Sequence, residues 1–420
     1  MSLVENVRIE KLIYGGQGLS QLSNGQKVFL YGVLPGELVK AKVYKQYTSY
    51  ALAEVIEIIE PSKHRIEALD KNYLSTSPWQ IFEIEYENQQ KVQLINDLIK
   101  NQDFLHPIKQ IDCNENFLNY RNKMEYVFYG DDYGLHLAQY KRGTHLKEII
   151  DSSSIASNFI NQAAQIIITQ LNDQKIRASD LKSLILRSTK DGLVGVALFL
   201  KKKINIKLQL NWPIQSIRLI FSDPKSPASV VTENIDILGH DQLKDKLIYN
   251  QEFYYSVLSF FQVNLEIYKK ALQDINNYLL TDQNILDYFS GVGSIGLSLP
   301  HKSLLLVDNN QFNIDFAQLN AQKIDPKTEV ILASANQCLN YINNHSVLIV
   351  DPPRNGLDQL LIKTINQFQP QQIVYLSCNP ITQLRDVNYL KENYILSLFK
   401  LYNFFPRTPN METLIILNHR

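Results

Sequence analysis

Four short apolar runs in the last part of the chain constrain its fold more than any other feature: Asn284-Ile285-Leu286-Asp287, Leu304-Leu305-Leu306-Val307-Asp308, Val347-Leu348-Ile349-Val350-Asp351 and Ile373-Val374-Tyr375-Leu376-Ser377. Helical lengths of chain separate them. Near-continuously apolar strands are buried on both faces, so the pattern predicts a parallel sheet covered by helices, an α/β, Rossmann-like unit over 246–420. Three of the runs end in aspartate. The carboxyl edge of an open α/β sheet is where ligands bind, which makes these carboxylates candidates for a site.

At 420 residues the chain is too long for one ordinary core. Residues 1–62 predict a small β-barrel. A turn at Gly15-Gly16 and Gly18 leads to Lys27-Val28-Phe29-Leu30, and a second turn at Pro35-Gly36 follows. Val39–Val43 and Tyr50–Val55 then alternate with period 2. Five short strands at this spacing suit an oligonucleotide-binding (OB-like) barrel, with a purely structural β-module equally compatible. Residues 63–245 predict a central α+β domain. Helices are expected over Glu87–Asn101 and Phe159–Leu171. Strands are expected at Val127–Tyr129, Leu135–Leu137, Leu184–Leu186 and Gly195–Phe199.

Composition narrows the class. Cys113, Cys338 and Cys378 are the only cysteines and form no C-x-x-C. That excludes a dense disulfide framework and a cysteine-rich zinc site; no metal is expected, and the thiols suit a reducing cytoplasm. No run of ~18 apolar residues predicts a membrane span. Glu5, Arg8, Glu10 and Lys11 interrupt the place where the apolar core of a signal peptide would lie. Lys plus Arg equals Asp plus Glu, 42 against 42. Net charge therefore points to no nucleic-acid partner, and any that binds must meet local basic patches.

Four constellations carry chemistry. In Asp287-Tyr288-Phe289-Ser290-Gly291-Val292-Gly293-Ser294-Ile295-Gly296 the glycines let a backbone approach a ligand and open the next helix. The literal G-x-G-x-x-G brings a dinucleotide into consideration. However, Asp287 would repel a pyrophosphate and suits a cationic, amino-acid-bearing ligand such as S-adenosylmethionine. Asp308 is placed for both ribose hydroxyls, and a helix-packing turn is the alternative. In Asp351-Pro352-Pro353-Arg354 the prolines stiffen the loop that presents the carboxylate. Cys378, in Leu376-Ser377-Cys378-Asn379-Pro380, lies at the ligand edge as a candidate nucleophile, whereas Cys113 and Cys338 read as structural. Glu412, in Phe405-Pro406-Arg407-Thr408-Pro409-Asn410-Met411-Glu412-Thr413, taken alone reads as an edge-strand charge.

Taken together and in this order, these motifs resemble the RNA uracil-C5 methyltransferases of bacteria, which act on 23S ribosomal RNA or on the transfer-RNA T-loop. Phe260-Phe261-Gln262-Val263-Asn264 and Tyr120-Arg121-Asn122-Lys123-Met124 look like two further family motifs, and residues 1–62 look like the family's TRAM domain, an RNA-binding barrel. The resemblance spans essentially the whole chain and is closest to the 23S members. It implies Cys378 as nucleophile and Glu412 as base. It also implies Gln262, Phe289, Asp308 and Asp351 around S-adenosylmethionine, and Arg121, Asn122 and Lys123 facing RNA. A cytoplasmic monomer with RNA as partner is expected. Most ribosomal members hold a [4Fe–4S] cluster with four cysteines. The corresponding stretches, Asp70 to Gln80 and Ser152 to Ser154, have none, so no cluster is expected. Two further departures are Ser334, where an acidic residue near the adenine is usual, and Asn403, where an aspartate is usual.

The expected chemistry is addition of the Cys378 thiolate to uracil C6, methyl transfer to C5, and proton removal by Glu412 to give 5-methyluridine. Phe261 or Phe405 is expected to stack on the unstacked base. Two rivals are a non-catalytic RNA-binding protein that keeps the fold and a nicotinamide-dependent oxidoreductase resting on Gly291, Gly293 and Gly296.

Overall fold

The computed structural model describes residues 3–420; Met1 and Ser2 of the expected 1–62 unit lie outside the described residues. The first sheet has six strands in the order Val4–Arg8, Leu38–Gln46, Tyr50–Glu60, Lys27–Leu30, Gly18–Gln21, Lys11–Leu12. Alternate residues, among them Val28, Leu30, Val39, Ala41 and Ala51, point into one small core. The sixth strand, beyond the five expected, continues the first past a break. At Ile9 and Glu10 the backbone N–H groups leave the ladder and donate to Glu37 and Leu19 carbonyls, both at 2.9 Å.

The second sheet has seven strands in the order Glu233–Gly239, Ile214–Phe221, Val194–Leu200, Leu181–Ser188, Lys123–Asp131, Gly134–Tyr140, Lys147–Ile149. The helix Asn158–Asp173 starts on a Ser157 cap that accepts the Ile160 N–H. It buries Ile160, Ala163, Ala164, Ile167 and Leu171, a helical stripe, against that sheet. The helix Ile84–Ile99 behaves differently. Leu94 and Ile95 pack with Leu401 and Met411 of the C-terminal unit, and the Asp112 N–H donates to the Leu401 carbonyl at 2.9 Å. The stretch expected over 63–245 is thus divided in space. An amphipathic helix shows that it has an apolar face, but not which sheet that face covers.

The third sheet runs Glu329–Leu332, Ser303–Asp308, Asn284–Tyr288, Ser346–Val350, Gln372–Ser377, Glu412–His419, Tyr394–Tyr402. Numbered in chain order within the sheet this is 3-2-1-4-5-7-6, and Glu412–His419 is antiparallel to both neighbours. The four expected strands are its centre. Glu329–Leu332 and Tyr394–Tyr402, its two edges, are only partly buried and lack the apolar continuity that reveals the others. The glycine turn does not open an α-helix as expected; a single 3₁₀ turn, Gly296–Ser298, follows, and the strand Ser303–Asp308 begins after Pro300 and His301. The short return from one strand to the next leaves no room for more. Among the described residues no helix is long and apolar enough to cross a membrane.

Candidate active site

The strand order reverses between Asn284–Tyr288 and Ser346–Val350, and the candidate side chains gather at the carboxyl edge around this switch point. The antiparallel register Ser377↔Thr413 matters most. One step further along each strand stand Cys378 and Glu412, so two residues 34 apart in sequence emerge side by side. Gln383 locks that register from the helix Pro380–Leu390. Its amide donates to the Tyr375 carbonyl at 2.8 Å, and it accepts the Thr413 hydroxyl at 2.6 Å.

Glu412 is buried and its Oε2 has no hydrogen-bond partner. Burial, then the Asp351 carboxylate, raises its carboxyl well above the usual range, and the Arg354 guanidinium opposes them. Asp351 keeps a small opening to solvent, yet the dense protein around it pushes its carboxyl up to about 7. Gln262 Nε2 stands 3.5 Å from Asp351 Oδ2, at the outer limit of a hydrogen bond. The partly exposed Cys378 thiol is pushed up to about 11 by burial, Glu412 and Asp351, and only Arg354 pulls the other way. Asn379 braces the turn. Its Oδ1 accepts the Ile381 N–H at 3.2 Å as the helix cap, and its amide donates to the Arg354 carbonyl at 2.8 Å.

At the first strand's end Asp287 is fully buried. Oδ2 accepts the Gly296 N–H at 2.9 Å, while Oδ1 has no partner, nor has the buried Ser290 Oγ. Burial and the carboxylates of Asp351 and Asp308 push Asp287 up to about 8. Asp308 Oδ2 accepts the Gly291 N–H at 2.9 Å. Its Oδ1 accepts the Asn310 N–H and the Asn313 amide at 2.8 and 3.0 Å. Phe289 holds φ at +63°, a costly conformation for a bulky side chain and one found where the surroundings over-determine it. Ser334 is tied to Gln337 in a capping box beside the strand edge.

The other expected site residues fall as follows. Asn122 serves the Phe260–Asn264 segment: its N–H donates to the Val263 carbonyl at 3.1 Å and its amide to the Gln262 carbonyl at 3.0 Å. Arg121 Nε donates to the Lys123 carbonyl at 3.0 Å. Burial, with Arg187 and Arg121 near, lowers the Lys123 ammonium to about 7. Phe261 cannot stack on a base as expected, because it is buried against the Tyr255 ring at 4.4 Å between centroids; Phe405 remains partly exposed. A cavity of about 660 Å³ lies elsewhere, lined by Asn114, Tyr120, Asn122, Lys190, Asn264 and Lys270, and contains neither Cys378 nor Glu412. The two stretches that would carry cluster cysteines do meet, but through hydrogen bonds. Gln80 Nε2 donates to Asp70 Oδ2 at 2.7 Å and to Ser154 Oγ at 3.0 Å, and the Ser154 N–H donates to Asp70 at 3.1 Å. Without thiolates there, these residues do not fit an iron–sulfur cluster.

Nothing local in the sequence marks the brace that holds the loop before Glu412. Lys91, fully buried on the helix Ile84–Ile99, donates to Glu87 Oε1 at 2.8 Å, Asn403 Oδ1 at 2.6 Å and the Phe405 carbonyl at 3.2 Å. Glu87 accepts the Arg407 N–H at 3.0 Å. Asn403, one of the two departures noted above, is a full member of this network.

The chain is similar to known proteins along nearly its whole length. The profile of a family described as tRNA (uracil-5-)-methyltransferase matches residues 85–420, and that of the TRAM domain matches residues 4–56. A relative in Prochlorococcus marinus, described as an uncharacterized RNA methyltransferase, is 31% identical over 92% of this chain and 99% of its own. One in Thermotoga maritima with the same description is 25% identical over 99% of both. The crystal structure of Pyrococcus abyssi tRNA (uracil-54, C5)-methyltransferase in complex with S-adenosyl-L-homocysteine superposes with a TM-score of 0.80. It is 22% identical and covers 98% of this chain and 100% of that one.

Proposed function

The chain belongs to the tRNA (uracil-5-)-methyltransferase family, and from that membership we propose that it methylates C5 of a uracil in RNA from S-adenosylmethionine, with Cys378 as nucleophile and Glu412 as base. The observation that carries this is the pairing register, which sets a thiol and a buried carboxylate next to each other at the sheet edge beside Asp351.

The site fits the methyl donor. Asp287 Oδ1 and Ser290 Oγ are buried without partners, and burial with the carboxylates of Asp351 and Asp308 nearby raises the affinity of Asp287 for a proton. A ligand bearing an ammonium and a sulfonium relieves both conditions. Asp287, Asp308, Phe289, Gln262 and Asp351 would hold it, and it supplies an electrophilic methyl. A nicotinamide dinucleotide is disfavoured: Asp287 faces the turn, and no α-helix N-terminus follows to receive a pyrophosphate.

Cys378 bonds to C6 of the base, moving the ring π electrons onto C5 and O4. C5 takes the methyl carbon while the bond from that carbon to sulfur breaks. Glu412 removes the C5 proton, and its electron pair expels the Cys378 thiolate from C6. A carboxyl held well above its usual range is the stronger base once ionised, which suits a carbon-bound proton. Of the three residues expected to face the RNA, Arg121 and Lys123 are proposed to do so, while Asn122 is buried and holds the Phe260–Asn264 segment behind them. We place the enzyme in the cytoplasm as a monomer, with 23S ribosomal RNA as target and the transfer-RNA T-loop as the second reading, the latter favoured by the missing cluster ligands. The test is to map 5-methyluridine in ribosomal and transfer RNA from a strain lacking the gene. Loss at one uracil, restored by the purified enzyme with S-adenosylmethionine, is the expected result. An unchanged map, with no methyl transfer in vitro, contradicts the proposal.

A further inference from the structure

The N-terminal barrel reaches the catalytic turn itself. Its Gly15-Gly16 turn lies on the loop before Glu412: a Cβ built on Gly16, whose φ is +88°, would stand 2.6 Å from Pro409 Cβ. Trp79 continues the seam, with its backbone N–H donating to the Arg407 carbonyl at 3.0 Å and its indole facing the Gly16 carbonyl at 3.5 Å. The residue before the turn, Tyr14, donates its hydroxyl to Asn379 Oδ1 at 3.3 Å. Asn379 follows Cys378 directly, caps the next helix and holds the Arg354 carbonyl.

We propose that Tyr14 is a positioning residue of the methyl-transfer site: its hydroxyl fixes Asn379, and through it the Cys378 turn and Arg354, so that the docked barrel sets the nucleophile's geometry. The proposal rests on the Cys378 chemistry above. It assigns the barrel a part in catalysis distinct from gripping RNA. The phenol's surroundings support it. Burial, Cys378 and Glu412 raise it to about 12 against the pull of Arg354, so it stays a neutral hydrogen-bond donor at every working pH. It therefore adds no charge of its own beside a thiol that two carboxylates already disfavour ionising. The contact also spans 365 residues of chain, so it exists only when the barrel is docked.

Tyr14→Phe keeps the ring and removes the oxygen. With RNA carrying 5-fluorouridine at the target, which blocks the proton-removal step, the covalent Cys378 adduct accumulates and its rate is read at saturating RNA. The expected result is a rate about three- to ten-fold lower, the span one neutral hydrogen bond supports, with RNA dissociation constant and melting temperature unchanged. In an Asn379→Ala background the same substitution should have no further effect, because its partner is gone. An unchanged saturated rate overturns the proposal, and so does a weakened RNA affinity with the saturated rate intact, which would make the barrel a grip only. A full Tyr14→Phe effect in the Asn379→Ala background also overturns it. Wild-type enzyme that forms no adduct at all overturns the Cys378 chemistry, a failure separate from that of Tyr14.

Discussion

Cys378, Glu412, Asp287 and Asp351 are each held above the usual range, and in the proposed chemistry each acts as the ionised form, so the pH dependence has one sign. Cys378 raised to about 11 leaves roughly one thiol in ten thousand ionised at pH 7, and Glu412 is raised as well. Adduct formation is predicted to climb by close to tenfold per pH unit from 6 to 9, measured by single-turnover quench; a flat profile would mean that another group activates the thiol. Arg354 is the one cation that favours the thiolate. Arg354→Gln should slow adduct formation about three- to ten-fold at pH 7.5, the reduction being moderate because this side chain is exposed and screened. Cofactor binding follows the same logic. Asp287 near 8 and Asp351 near 7 must lose protons to meet a cation. S-adenosylmethionine affinity should therefore rise from pH 6 to 8 with proton release, visible by calorimetry in buffers of different ionisation enthalpy. S-adenosylhomocysteine, lacking the sulfonium charge, should show a weaker slope. These aspartates were legible in the sequence because each ends an apolar run. Tyr14 was not, since nothing local distinguishes a tyrosine before a glycine turn from any other.

At the level of elements, the site is a product of register and of one buried brace. The central strands are legible from apolar continuity, and Cys378 from its place after one of them. Glu412 is not: taken alone it reads as a surface charge, and only the antiparallel return of Glu412–His419 along Gln372–Ser377 makes it a buried neighbour of the thiol. The brace is likewise hidden. Lys91 meets Asn403 across 312 residues, and a Glu-Lys pair four apart on a helix ordinarily marks a solvated face. Here both side chains are fully buried. Removing one partner of such a pair leaves an unpaired charge out of water, at a cost of about 3–5 kcal/mol. Lys91→Met is predicted to lower the denaturant midpoint accordingly and to loosen the loop Phe405–Met411, seen as faster amide exchange there. Near-native stability would show that the pair is dispensable to the loop.

At the scale of the molecule, the N-terminal barrel and the helix Ile84–Ile99 both dock on the C-terminal α/β unit. Composition and spacing separate a barrel, a mixed domain and an α/β domain, but they carry no information about docking. Two results of docking follow: the helix Ile84–Ile99 covers the third sheet, and the barrel turn sits on Pro409. Gly16→Val should break the second of these, because its side chain has no space and its backbone is strained. In a Trp212→Phe background, where Trp79 is the only remaining tryptophan, the buried indole should then move into water and its emission shift to the red. Native emission would contradict the docking. The missing cluster ligands fit the same view: Asp70, Gln80 and Ser154 join the two stretches by hydrogen bonds in their place.

The most direct test of the whole account is the site of covalent attachment. RNA bearing 5-fluorouridine, incubated with the enzyme and S-adenosylmethionine, should give one nuclease-trimmed nucleotide adduct, mapped by peptide mass spectrometry to Cys378 and absent from Cys378→Ala. A Cys378→Ala enzyme that still makes 5-methyluridine, or an adduct on Cys113 or Cys338, would contradict it.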